Sequence, residues 1–437
     1  MEIFSSYNVI IGISLTIILS FIFNGVAKKT NVPAVLLLIV LGIIFQYVLK
    51  AFGGDSIDFF PMLEVLGIVG LIMIVLEAAL ELELKRDKLM PILKSLAIAL
   101  IGLVASTFIA AVILKALVKG MTMQSAWLYA TPLSILSSAI IIPSVSSLST
   151  AKKEFHIYES TFSDILGIML FYFLTGRLNP AEDSGVGGFF LNLIVTIVIS
   201  LVASYAIILI FQKIKSQVKL FLLIAVLLLL YALGKKMHLS SLIIILIFGL
   251  VIANMKLFFQ GKLRGYLHLE KAKSIYHELH VITAETAFVV RTLFFVIFGI
   301  TIVLSSLLSL KVTLISVLIL ISIYVIRYGL LRLFMGKDIS PQLFIAPRGL
   351  ITVLLFYAIP AEAIVEGFEP GILLFVIIGT SLIMTGGMIR DKKRNPVESE
   401  ETKTDESIEE TEYFINNTTD LSEIDDVLPS PDEHETE

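Results

Sequence analysis

Residues 126–148 read AWLYATPLSILSSAIIIPSVSSL. The length and the apolar flanks suit a helix that crosses a bilayer, yet Pro132 and Pro143 bracket Ser134, Ser137 and Ser138. Proline removes a backbone donor and clashes with the preceding turn, so this span is expected to open near its centre. Open backbone at membrane depth persists only where protein buries it or where it lines a polar cavity. Residues 340–360, SPQLFIAPRGLITVLLFYAIP, repeat the pattern, with Pro341, Pro347 and Pro360 around Arg348-Gly349.

Composition sets the context for these two breaks. Of 437 residues, 57% are hydrophobic and only 16% charged, and the mean hydropathy is +0.94. Soluble domains carry about 25% charged residues. Runs of roughly twenty apolar residues mark an all-α polytopic membrane protein. Thirteen spans are expected, near 8–26, 32–50, 63–83, 92–117, 125–148, 157–175, 188–212, 218–234, 239–254, 281–304, 309–331, 340–360 and 371–389. The first lacks a basic leader and a cleavage site, and reads as a retained span. The broken stretches are the fifth and the twelfth. Their odd offset makes the second half inverted if the halves are repeats, and paired interrupted spans point to a transporter's midplane site.

Cations cluster in alternate loops, at Lys28-Lys29, Lys85-Arg86-Lys88, Lys152-Lys153 and onward to Arg390–Arg394. The positive-inside rule then puts the N-terminus outside and the C-terminal tail in the cytoplasm. Residues 391–437 hold nearly half of the chain's 37 acidic residues and read as a disordered acidic tail, beside a membrane domain at 1–390. Residues 261–280, GKLRGYLHLEKAKSIYHELH, read as an amphipathic helix on the inner surface. Cysteine is absent, which excludes disulfides and thiol chemistry. His277 and His280 fall in that polar stretch, without the paired spacing of a metal site within a span. Nothing resembles a nucleotide loop or a covalent nucleophile, so no enzyme chemistry, cofactor or nucleic-acid partner is expected.

Charges inside spans cost about 2.5–3.5 kcal/mol even on lenient insertion scales. Glu77, Glu159, Asp164, Glu285, Arg291 and Arg348 qualify, with Arg327 near the end of its span. The stretch 159–171, ESTFSDILGIMLF, concentrates the question. Ser160 and Asp164 share a helix face, as do Glu159 and Ser163. Glu159 and Asp164 lie about 140° apart around the helix, so different roles are expected. Asp164 with Ser160 suits a dehydrated monovalent cation such as Na+, and the same carboxylate binds a proton. Competition for one group makes an exchanger, provided the empty carrier does not reorient. Glu159 should pair with a buried cation, Arg327 or Arg348. For Arg291, snorkelling or a helix–helix bond competes with a transport role.

These residues resemble the cation/proton antiporter superfamily in its sodium/proton exchanger branch. ESTFSD resembles its Glu-Ser-x-x-Asn-Asp motif, IVLEAALEL (74–82) its Phe-Glu-Gly-Gly-Leu-Glu element, VRTLFFVIFGI (290–300) its Arg-Thr-Phe-Phe-Phe element, and APRGL (346–350) its Arg-Gly break. The likeness runs over nearly all of 1–390. It implies thirteen helices in two inverted six-helix repeats, two broken crossing helices, a homodimer, and a core that moves as an elevator in a plasma or inner membrane. It assigns Asp164 to ion and proton binding, with Ser160, Ser163 and Glu77 near it. Glu159 is paired with Arg327, and Arg348-Gly349 falls in the crossing helix. Two positions depart from the pattern. Ser163 replaces an asparagine, and ILSSAIIIP has no acid where many members carry Thr-Asp-Pro. One carboxylate in place of two fits electroneutral exchange, with Na+ first and K+ as the alternative. A cation channel and a non-transporting scaffold are the competing classes.

Overall fold

The computed structural model describes residues 6–394 apart from 31, 52–58, 83, 85–87, 146–147, 179–184, 215–218, 238–240, 260–264, 266–267, 303–305 and 308. All regular structure among them is helical. The first half runs α1 (Ser6–Thr30), α2 (Ala34–Ala51), α3 (Phe60–Leu80), α4 (Leu89–Leu117), α5 (Met123–Ser134), α6 (Ser138–Ser144) and α7 (Thr150–Gly176). The second runs α8 (Gly185–Phe211), α9 (Lys219–Lys236), α10 (Ser241–Ala253), α11 (Met255–Phe258), α12 (Leu269–Thr301), α13 (Leu310–Met335), α14 (Leu350–Tyr357) and α15 (Gly371–Arg394). Ten spans in the described residues are long and apolar enough to cross a bilayer, with α5 and α6 forming one of them. The apolar helices α9 and α10 and the broken segment ending in α14 complete the thirteen read from the sequence.

Packing sorts the helices into two sets. α4 lies against α5, α7 and α13, and α13 lies against α15. This core holds both broken spans. The frame centres on α12, which packs on α1, α2 and α3, and on α10, which packs on α3, α8 and α9. α3 also reaches α7 and α14 across the divide. The helices preceding the two breaks, α4 and α13, pack on each other, and each packs on the helix that follows its own break. That correspondence is what two inverted repeats require.

Small residues fasten the frame. A Cβ on Gly42 would lie 2.8 Å from Gly299 Cα, so the α2 and α12 backbones touch where neither carries a side chain. Ser20 and Thr292 share a 2.6 Å hydrogen bond between α1 and α12. Gln46 Nε2 donates to Ile300 O and Ile302 O at 2.7 and 2.8 Å, which satisfies carbonyls at the end of α12.

Residues 269–280 differ from expectation. They are not a separate surface helix or a loop but the first turns of the 33-residue α12. Two of their polar groups have partners at the end of α3, where Tyr276 Oη donates to Leu80 O (3.1 Å) and His280 Nε2 meets Glu81 Oε1 (3.0 Å). Asn254 completes this clamp, donating to Leu82 O and accepting from Leu84 N. Polarity here marks a helix junction. α15 continues through Arg394 into the stretch read as tail, and the rest of that tail lies outside the described residues.

Candidate ion-binding site

Pro132 sits in the last turn of α5, and helix resumes only at Ser138, with Ile135 and Ser137 extended between. In the second broken span the chain is irregular from Ile345 to Gly349 before α14 starts. The two interruptions cross. Ser137 N donates to Pro347 O at 3.0 Å, and Leu136 N donates to Ser163 Oγ of α7 at 3.0 Å. Breaking a helix orphans carbonyls at its C-terminal end, where the dipole is negative. Arg348 answers both needs: it is 2% exposed, and its Nε donates to Leu133 O at 2.9 Å while Nη1 donates to Ala346 O at 2.9 Å. Its own backbone N is held by Thr380 Oγ1 of α15. A Cβ on Gly349 would meet Ser137 Oγ at 2.5 Å and Ile140 Cδ1 at 2.9 Å, so any larger residue would push these side chains aside at the crossing.

Asp164 lies on α7 beside this crossing and is 2% exposed. Its Oδ2 accepts a hydrogen bond from Ser138 Oγ, the first residue of α6. Its Oδ1 has no protein donor among the described residues. Asp164 lines a small cavity whose other walls are apolar, including Ile74 and Ala78 of α3, Leu242 and Leu246 of α10, and Ile351 of α14. Asp164 therefore sits where core and frame helices meet.

Glu159 has the opposite surroundings. Arg327 of α13 grips it with both guanidinium nitrogens, at 2.6 and 2.9 Å, and donates a third bond from Nε to Gln342 O at 3.0 Å. His156 Nδ1 lies 3.5 Å from the same carboxylate. A bidentate pair with a further donor held by a backbone carbonyl is the arrangement that makes a buried ion pair tolerable.

The remaining residues singled out in the sequence spread around this centre. Ser163 is in the crossing, as an acceptor for Leu136 N. Ser160 donates to His156 O at 2.7 Å within α7, leaving its oxygen as an acceptor. Ser134 donates to Ala130 O at 2.9 Å and lines a cavity shared with Glu159, Arg327 and Arg348. Glu77 is not among the residues walling the Asp164 cavity; its Oε1 lies 3.9 Å from Arg291 Nη2 of α12. Glu285 is exposed on α12. No group of three or more His, Asp or Glu side chains with metal-holding geometry occurs among the described residues, so a cation here would rely on one carboxylate, hydroxyls and backbone carbonyls.

The family described as "Sodium/hydrogen exchanger, transmembrane" matches residues 14–390. The chain belongs to that family. It is a multi-pass membrane transporter rather than an enzyme. Among solved structures, this exchanger resembles the sodium proton antiporter MjNhaP1 from Methanocaldococcus jannaschii at pH 8, with a TM-score of 0.65 and 19% identity over 89% of this chain and 97% of that one. An electron-microscopy map of MjNhaP1 gives a TM-score of 0.63 and 20% identity, covering 91% and 98%. At such identity the likeness shows the fold alone. No curated protein matches. Three features of the exchanger's site were not found by reading the sequence: Thr380 under Arg348, the Leu133 carbonyl that Arg348 holds, and Gly167, whose missing side chain makes room for Ile135 in the break. The first two involve backbone groups that no residue type announces, whereas Gly167 in a span was a visible signal.

Proposed function

We propose that the exchanger swaps one monovalent cation, Na+ before K+, for one proton, the two competing for Asp164. The observation that carries this reading is the half-satisfied carboxylate: buried, held on one oxygen by Ser138, and without a protein donor on the other. Arg327 already neutralises Glu159. Asp164 is then the one acid at the crossing with a charge to offer, and one charge takes up one cation or one proton. Ser138 and the Ser160 oxygen supply neutral oxygen ligands. A channel reading gains nothing from two inverted breaks locked together by the Ser137–Pro347 backbone bond and the Arg348 side chain, which suit a rigid core moving against a frame.

By the cation-rich loops, the face carrying the α1–α2 turn is cytoplasmic, and frame helices form the homodimer contact. In proteoliposomes preloaded with a pH gradient, added Na+ should collapse the gradient, and Asp164→Asn should reduce the response to that of empty vesicles. Lowering pH should raise the apparent KM for Na+ and leave the maximal rate unchanged, the signature of competition. Unimpaired exchange by Asp164→Asn would remove this acid from the mechanism; parallel runs with K+ and Li+ rank the cations.

A further inference from the structure

Arg291 is a half-buried cation that neither the Asp164 site nor the Glu159 pair uses. It projects from α12, which the Gly42–Gly299 contact, the Ser20–Thr292 bond and Gln46 fix to α1 and α2. Its Nη1 donates to Ala139 O of α6 at 3.0 Å, while Nη2 faces Glu77 of α3 at 3.9 Å. Ala139 follows Ser138, the residue that holds Asp164. One guanidinium therefore joins two frame helices to the half-helix that carries the ligand of the exchange site. It also stands at the head of a cavity lined by Ser20, Asn24, Pro143 and Ser144. A second opening, lined by Tyr172, Tyr231 and Leu354, lies between core and frame at the opposite ends of α7 and α14.

We infer that Arg291 is a conformational latch, a positioning residue whose bond to the Ala139 carbonyl holds the core in one of its two exposures. A backbone carbonyl suits the task. The bond is charge-assisted and strong enough to bias a population, yet an acceptor fixed to α6 is lost as soon as α6 slides past α12. Glu77 keeps the guanidinium paired on the frame side, so the released arginine does not stand as an unbalanced charge beside the cation's route.

This inference rests on the alternating-exposure reading above, and its test is separable from transport. The chain has no cysteine, so single cysteines report cleanly. Ser144→Cys and Tyr172→Cys place a thiol in either cavity of the full-length protein, and thiol-reagent labelling rates are measured in detergent without any ion gradient. Arg291→Gln should move the rates at positions 144 and 172 in opposite directions, shifting their ratio about tenfold, the scale of one hydrogen bond to a charged group. Arg291→Lys, which keeps a donor and the charge for Glu77, should restore part of that shift. Rates that stay unchanged, or that rise together as in general loosening, overturn the latch. If Arg291→Gln yields no folded protein, Arg291→Lys is judged by the same opposite-direction criterion. If Asp164→Asn exchanges normally while the labelling ratio shifts, the exchange site is wrong and the latch stands.

Discussion

Glu159 and Asp164 lie five residues apart on one helix and are 1% and 2% exposed, yet their partners have little in common. Glu159 receives two bonds from Arg327, with His156 close by. Asp164 receives one hydroxyl bond on one oxygen and none on the other from the described residues. A carboxylate saturated by protein donors has nothing left for an ion, and its value is in holding α7 to α13. A carboxylate left short of donors is a poor strut, and its remaining valence is available to a cation or a proton. On the proposed mechanism, stability and transport are divided between two acids of nearly equal burial.

The widest separation should come from neutralising each acid in turn. Asp164→Asn is expected to abolish exchange while the protein purifies in normal yield and melts near the parent temperature. Glu159→Ala is expected to do the reverse first, because it strands Arg327 inside the core, a loss of about 3–5 kcal/mol. Yield and thermal stability should fall, and Arg327→Met in the same chain should recover much of both. If Glu159→Ala were as stable as the parent, or if the double variant recovered nothing, the division of labour would not hold.

A smaller effect should come from the crossing that both acids border. Gly349→Ala places a methyl group 2.5 Å from Ser137 Oγ and 2.9 Å from Ile140. Something must give, at about 1–3 kcal/mol for an overpacked interior. The nearest neighbours of that methyl flank Ser138, so the displacement falls on the ligand of Asp164 rather than on the Arg327 pair. Cation KM should rise with the stability loss confined to that range. An alanine variant with parental kinetics would mean that the crossing tolerates more slack than its hydrogen bonds suggest.

How much of this was legible in the sequence depends on what makes each contact. Prolines and the Arg348-Gly349 pair announced both breaks, because proline and glycine act on their own backbone. That Glu159 and Asp164 would face different surroundings followed from helical spacing alone. Ser138 as the partner of Asp164 did not, since the register of α6 depends on where the chain unwinds and re-enters helix. Ser160 shares the Asp164 face as expected but turns its proton to the His156 carbonyl, a choice set by the local turn. The polar run at 269–280 was misleading for a related reason. Tyr276 and His280 meet the end of α3 while Lys271, Lys273, Ser274 and His277 stay exposed, and a one-dimensional pattern does not show that this amphipathic run continues into a span.

Ser163 gives the finest test, because it stands between the two acids and bonds neither. Its hydroxyl accepts from Leu136 N inside the break. Ser163→Ala leaves that buried N–H without a partner, a cost of about 1–3 kcal/mol, and the loss falls on the unwound segment rather than on α7. Asp164 keeps its own charge and Ser138, so exchange should persist with a reduced maximal rate, since the break must stay rigid as the core moves. Ser163→Asn offers the same N–H a carbonyl oxygen but adds an amide that must find room near Ile135. It should keep the rate better than alanine while altering the ranking of Na+, K+ and Li+. If both variants match the parent in rate and ranking, the hydrogen bond at Leu136 is incidental, and the rigidity of the crossing rests on Arg348 and the Ser137–Pro347 contact alone.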